Sequence, residues 1–233
     1  MREYVLALRA IWRSWETGEK LRFEGEHYTF TLMTPNFVPP STGQVPVPIT
    51  MAAVGEHSLR LSGEICDGVR LHPFCTRAYL EDIVIARINE GLDKTGRTRG
   101  SFEVTGGGFI ATGETEEEVD KVAEWVRHRI AFYGSTPSYW PVFEHHGCGD
   151  LGRKLNRMTK AGKWDEIASE IPDDVLHLFA VIAPYGQLEN AIIKRFGGVV
   201  DAIYASTSQD IRPQIPSDVL QDIARIPTAF NGF

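Results

Sequence analysis

Short apolar runs that alternate with stretches of helical period constrain the fold of this chain more than any other feature. Residues 47–53 are an apolar run that fits a buried strand, and 67–71, 102–112 and 199–205 read as three further strands. Pro48 sits near the start of the first, where a missing backbone donor is tolerated. Residues 57–65 and 79–92 between them repeat apolar side chains at helical spacing, the second through Leu80, Ile83, Val84 and Ile88. Thr115, Glu116, Glu117 and Glu118 open a long helix whose acidic first turn suits the helix dipole. Residues 219–226 close the chain as a helix. Strands that alternate with helices build parallel βα units. The expected class is therefore α/β.

The connection between the third and fourth strands is far longer than a βα loop. Helical stretches are expected over 115–133, 139–145, 151–161, 164–169 and 187–196, and Asp173-Asp174 reads as a helix cap. Region 113–198 is thus expected to be a helical insertion within one domain, 1–233. Four βα units are half of a (β/α)8 barrel or a small open sheet. A complete barrel takes about 250 residues, and here four units with an insertion use all 233.

The front of the chain differs. Tyr4, Leu8, Ile11, Trp12 and Trp15 mark one face of a helix that Gly18 ends. No capping residue precedes it, as if the chain began inside an element. Residues 21–23 and 27–30 around Glu24-Gly25-Glu26 read as a hairpin. From Tyr28 to Gly55 there is no charged residue, a stretch long enough to cross a bilayer. Pro35, Pro39, Pro40, Pro46 and Pro48 rule out a membrane helix, so an extended loop is expected.

Charge and cysteine content narrow the function classes. Asp plus Glu number 31 against 24 Lys plus Arg, a net charge of −7 with the basic residues scattered. Neither a nucleic-acid footprint nor an anionic-membrane footprint is present. Cys66, Cys75 and Cys148 are too few and too spread for a disulfide framework, and a cytoplasmic setting is the default.

Candidate site residues cluster where strands end. Ala52, Ala53, Val54 and Gly55 are small residues between a strand and a helix. There a ligand can approach the backbone and the first-turn N–H groups can meet an anion; simple core packing and a turn is the competing reading. His72 follows the second strand with Pro73 and Phe74, placed either to line a pocket or to hydrogen-bond its own loop. Gly106, Gly107 and Gly108 lack the Lys-Ser or Lys-Thr of a phosphate loop and read as a bulge or close approach. His145, His146 and Cys148 match no zinc spacing, so no metal is expected, and no carboxylate stands out as catalytic.

Taken in order, these pieces resemble the luciferase-like monooxygenase superfamily, most closely its branch of oxidoreductases dependent on the deazaflavin coenzyme F420. The matching stretches are Arg2-Glu3-Tyr4-Val5, Leu8-Arg9-Ala10-Ile11-Trp12, Gly25-Glu26-His27-Tyr28, the segment from Val47 to Gly55, Gly63-Glu64 with Asp67-Gly68, and His72-Pro73-Phe74. Gly91 with Gly96-Arg97 and residues 131–139 complete the set. The resemblance implies a partial TIM (β/α)8 barrel, its second half, strands five to eight, with the insertion before the last strand and the front strands absent. It implies that Ala52, Ala53, Val54 and Gly55 contact the phosphate-bearing tail of the cofactor. His72 and Phe74 would face the substrate and the cofactor ring, with 133–137 near the pocket mouth. The implied activity is hydride transfer to or from a small organic substrate. A flavin mononucleotide (FMN) monooxygenase of the same superfamily and a non-catalytic truncated barrel or assembly subunit are the alternatives. Either a homo-oligomer or a partner would supply the missing half-barrel, since open strand edges favour pairing.

Overall fold

A computed structural model describes residues 1–43, 47–204 and 215–233. Helix α1 (Arg2–Thr17) is followed by the strands β1 (Phe23–Glu24) and β2 (Thr29–Phe30), which pair antiparallel. The motif residues at the front hold one another. Glu3 on α1 accepts the backbone N–H groups of His27 (2.8 Å) and Tyr28 (2.6 Å), and Arg2 pairs with Glu64. A side chain on Gly25 would displace the Glu3 carboxylate from these bonds. A 3₁₀ turn, Pro35–Phe37, lies in the proline-rich loop; Pro46 of that loop is outside the described residues.

Then come β3 (Thr50–Ala53), α2 (Glu56–Ile65) and β4 (Gly68–Leu71). Next, α3 (Arg77–Tyr79), a π-helical stretch Leu80–Ile85 and α4 (Ala86–Asp93) run on as one rod leading to β5 (Glu103–Gly106). β3, β4 and β5 form a parallel sheet in that order, Met51 opposite Val69 and Val69 opposite Val104. α2 and α4 cover its outer face. Leu59, Val69, Leu80, Ile88, Phe102 and Val104 are all sealed from solvent, and each such side chain contributes about 1.5–3 kcal/mol.

The run 102–112 is not one strand. Gly106 and Gly107 take φ of +94° and +93°, and the chain turns out of the first sheet. Strand β6 (Phe109–Ala111) then joins a different sheet, pairing parallel with β7 (Ala180–Ile182). A side chain on Gly106 would sit 2.7 Å from the Leu71 carbonyl and one on Gly108 would reach the Phe196 ring, so only glycine allows the kink. The region 113–198, in turn, is not helical throughout, because β7 lies inside it. Helices α5 (Glu116–Gly134), α6 (Trp140–His145), α7 (Gly149–Lys160) and α8 (Asp173–Phe179) precede that strand, and α9 (Tyr185–Phe196) follows it. Thr115 and Glu118 form the capping box of α5 that its first turn predicts.

The expected fourth strand is reduced to one parallel bridge, Ala202 to Thr105 on the free side of β5, and Ala205 lies outside the described residues. α10 (Ser217–Ala224) closes the described fold. The apolar face expected of α1 is only half-buried: Leu8, Ile11, Trp12 and Trp15 are partly covered and Tyr4 is 48% exposed, while the buried residues of the helix are Val5, Ala7 and Ser14. Parallel pairing places the C-terminal ends of β3, β4, β5 and the segment at Ala202 on one side, which fixes where a site can form.

Candidate functional site

At that end, the loop after β4 meets the helices that follow β6. The His72 ring lies 4.3 Å from the Tyr133 ring and 4.7 Å from the Tyr139 ring, centroid to centroid. His72 Nδ1 accepts the Phe74 backbone N–H at 3.0 Å, the loop bond foreseen as the alternative to a pocket role. A nitrogen that accepts is unprotonated, so in the neutral ring the proton is on Nε2. Burial holds this imidazole below the usual histidine range and favours the neutral form. His72 therefore offers an Nε2–H donor.

Phe74 is only 2% exposed, packed against Tyr139, Phe143 and Phe179. It buttresses the loop from behind and does not itself form an open wall. His146 and His145 are engaged elsewhere, His146 Nε2 with Thr76 Oγ1 at 2.7 Å and His145 Nε2 with Asp82 at 3.1 Å. Cys75 is buried, and burial pushes its thiol up to about 12, which leaves it inert.

Beside this aromatic group is a cavity of about 330 Å³. Gly106, Gly107 and Gly108 form part of its lining, together with Pro73, Trp125, Arg129, Tyr133 and Tyr204. The glycine kink thus has a second consequence, because backbone rather than side chain faces the space. Arg195, 8% exposed, ties the two loops together: its Nη2 donates to the carbonyls of Cys75 (2.7 Å) and Gly107 (3.3 Å). Burial lowers its pKa to about 10. Sequence reasoning passed over Arg195, Trp125 and Arg129, since nothing local marks a helix residue that reaches a distant loop. A second cavity, about 400 Å³, lies between α9 and α10 and is lined mostly by aliphatic side chains, with Thr112, Asp201 and Thr228 as polar members.

Residues 52–55 sit at the same end but do not line the 330 Å³ cavity. Ala53 is opposite Leu71, the residue before His72. Ala52, Val54 and Gly55 are exposed and Ala53 is buried. Gly55 is the N-cap of α2 with φ −84° and ψ 156°, and its carbonyl accepts from Leu59 at 3.0 Å. A side-chain carbon placed on Gly55 would meet nothing within 4 Å. The first-turn N–H groups of α2 have no capping side chain. Glu56 in that turn pairs with Arg87 at 2.6 Å, which offsets its charge. The turn therefore has the room and the donors for an anionic group.

With the geometry in place, comparison with known proteins is direct. The sequence profile of the family described as luciferase-like monooxygenase matches residues 1–202. An uncharacterized protein of Mycobacterium tuberculosis is 42% identical over 214 residues, 90% of this chain and 63% of that protein. The 5,10-methylenetetrahydromethanopterin reductase of Archaeoglobus fulgidus is 27% identical over 190 residues, 78% of this chain and 52% of the enzyme. Among solved structures, the coenzyme F420 dependent tetrahydromethanopterin reductase from Methanopyrus kandleri superposes with a TM-score of 0.69 at 18% identity, covering 94% of this chain and 60% of that one. This chain thus spans a little over half the length of these proteins.

Proposed function

Because the chain belongs to the luciferase-like monooxygenase family, we propose that it is an oxidoreductase working with coenzyme F420 in hydride transfer to or from a small organic substrate. The kinship with a methylenetetrahydromethanopterin reductase carries the reading, and the fold shared with an F420 dependent reductase supports it. When bound, the deazaflavin supplies the hydride chemistry, and the protein supplies position and electrostatics.

In this reading Ala52, Ala53, Val54 and Gly55 receive the phosphate-bearing tail. The open space over Gly55 and the uncapped first turn of α2 support that placement. His72 presents its Nε2–H to the substrate or the cofactor ring, with Phe74 fixing the loop from behind. Tyr133 and Tyr139 hold the imidazole from two sides.

The site is completed by a second copy of the chain or by a partner that brings further strands, giving this half-barrel its remainder. Supporting this, β3 pairs only with β4 among the described residues. Tyr4, Leu32, Phe37 and Val47 are also exposed in the front segment. The free cysteines, two of them buried, support a reducing, cytoplasmic setting. Among the described residues no helix is long and apolar enough to cross a membrane.

Fluorescence titration of the folded protein with coenzyme F420, with FMN as comparator, tests the cofactor assignment. Saturable binding of F420 with weaker FMN binding is expected. Preference for FMN would move the chain to the flavin monooxygenase reading, and binding of neither would make it a non-catalytic subunit.

A further inference from the structure

The charge around the 330 Å³ cavity is out of keeping with the rest of the molecule. In a chain with net charge −7, carboxylates are plentiful. Many arginines elsewhere find them: Arg9 pairs with Asp67, Arg87 with Glu56, and Arg99 with Asp201. Arg129 lines the cavity and pairs with no carboxylate among the described residues, and no Asp or Glu shares the lining. Its guanidinium lies 4.8 Å over the Trp125 ring, one turn away on α5. An aromatic face steadies a cation without neutralising it. Arg70, which forms no ion pair among the described residues, lies 5.5 Å over the ring of Tyr204, another lining residue. Glu103 on β5 accepts a hydrogen bond from Thr105 Oγ1 at 3.3 Å.

We propose that this cavity binds the carboxylate or phosphate group of a small-molecule substrate, with Arg129 as its counter-ion and Trp125 and Tyr133 as aromatic walls. A cleft lined by one sign of charge and walled by apolar groups focuses its field on an incoming anion. A guanidinium offers paired N–H donors that match a carboxylate or phosphate in plane. The glycine backbone of 106–108 lets the ligand come close. The assignment deepens the oxidoreductase reading and rests on it only for the word substrate. The anion site itself stands on the cavity geometry, and the cofactor tail is placed separately at residues 52–55.

The test uses inorganic phosphate as probe, at ionic strength held constant with chloride, read by tryptophan fluorescence. The wild-type protein, Arg129→Gln, Arg129→Lys and the exposed control Arg157→Gln are compared, each first shown to keep the wild-type melting temperature. Saturable phosphate binding is expected, weakened by about tenfold or more in Arg129→Gln, retained in large part in Arg129→Lys and unchanged in Arg157→Gln. Equal binding by Arg129→Gln, or no saturable response in the wild type, overturns the site. Titration of Arg129→Gln with F420 separates the two sources of anion. Unchanged F420 affinity supports the substrate assignment, and a parallel loss would overturn it in favour of the cofactor. If the wild type binds phosphate through Arg129 but not F420, the anion site stands and the deazaflavin reading falls.

Discussion

Arg99 Nη2 lies 2.5 Å from Asp201 Oδ2, and the Asp201 side chain is 3% exposed. The same carboxylate accepts the Val104 N–H at 2.7 Å, the Ala229 N–H at 3.1 Å and the Phe230 N–H at 3.0 Å. One buried group thus fastens the segment at Ala202 to β5 and brings the chain's end against it. Asp201→Asn would turn an amide N–H toward those donors and leave Arg99 without its partner. The expected loss is about 3 kcal/mol of unfolding free energy, read by chemical denaturation. A loss under about 1 kcal/mol would show that this anchor matters little.

Gly63 on α2 and Gly91 on α4 let the two helices touch backbone to backbone. A side-chain carbon on Gly63 would fall 2.2 Å from the Ile88 carbonyl oxygen, and one on Gly91 would fall 2.1 Å from that of Arg60. Neither position needs a positive φ, so the penalty is steric. Gly63→Ala or Gly91→Ala should each cost about 1–3 kcal/mol despite the better helix propensity of alanine. An unchanged melting temperature in both would contradict this packing.

Acid should act on this fold through His72. Burial depresses its folded-state pKa, so below about pH 6.5 the unfolded chain takes up the proton first. The stability tied to the neutral ring is present above that pH and is lost as pH falls through the folded pKa. His146, lowered by burial and by His145 and Arg195, adds in the same direction. Denaturation midpoints between pH 7 and 5 should fall less steeply in His72→Gln than in the wild type. Identical slopes would mean that His72 titrates as a solvated side chain.

The front segment should drive association. Leu32 is 79% exposed and Phe37 75%, and the large core cluster takes no residue before Ala53. Apolar area of this kind marks a contact surface. Light scattering at micromolar concentration should report a dimer or larger species. A monodisperse monomer would contradict a shared or completed barrel.

What was legible in the sequence was whatever rests on local period and capping. β3, β4, α2 and α5 fall where apolar spacing and the Thr115 cap put them. β7 was missed because Ala180, Val181 and Ile182 follow α8 with no glycine or proline between to announce a strand. The run 102–112 read as one strand because composition shows that glycines are present, not that two of them turn the chain into a second sheet. At the candidate site, residue types at strand ends pointed to His72 and to residues 52–55. The roles of Arg129 and Arg195 depend on contacts across long sequence separations, such as Arg195 with Cys75, and no spacing rule reports them.

The most direct test of the account is the affinity of Gly55→Val for coenzyme F420 beside that of the wild type. Valine suits the extended backbone at Gly55, and its side chain enters space that the protein leaves open. The variant should therefore melt as the wild type does. It should bind F420 at least about tenfold more weakly, as loss of charge-assisted bonds to the α2 N-terminus would produce. Equal affinity in the two proteins would contradict this and move the cofactor tail away from residues 52–55.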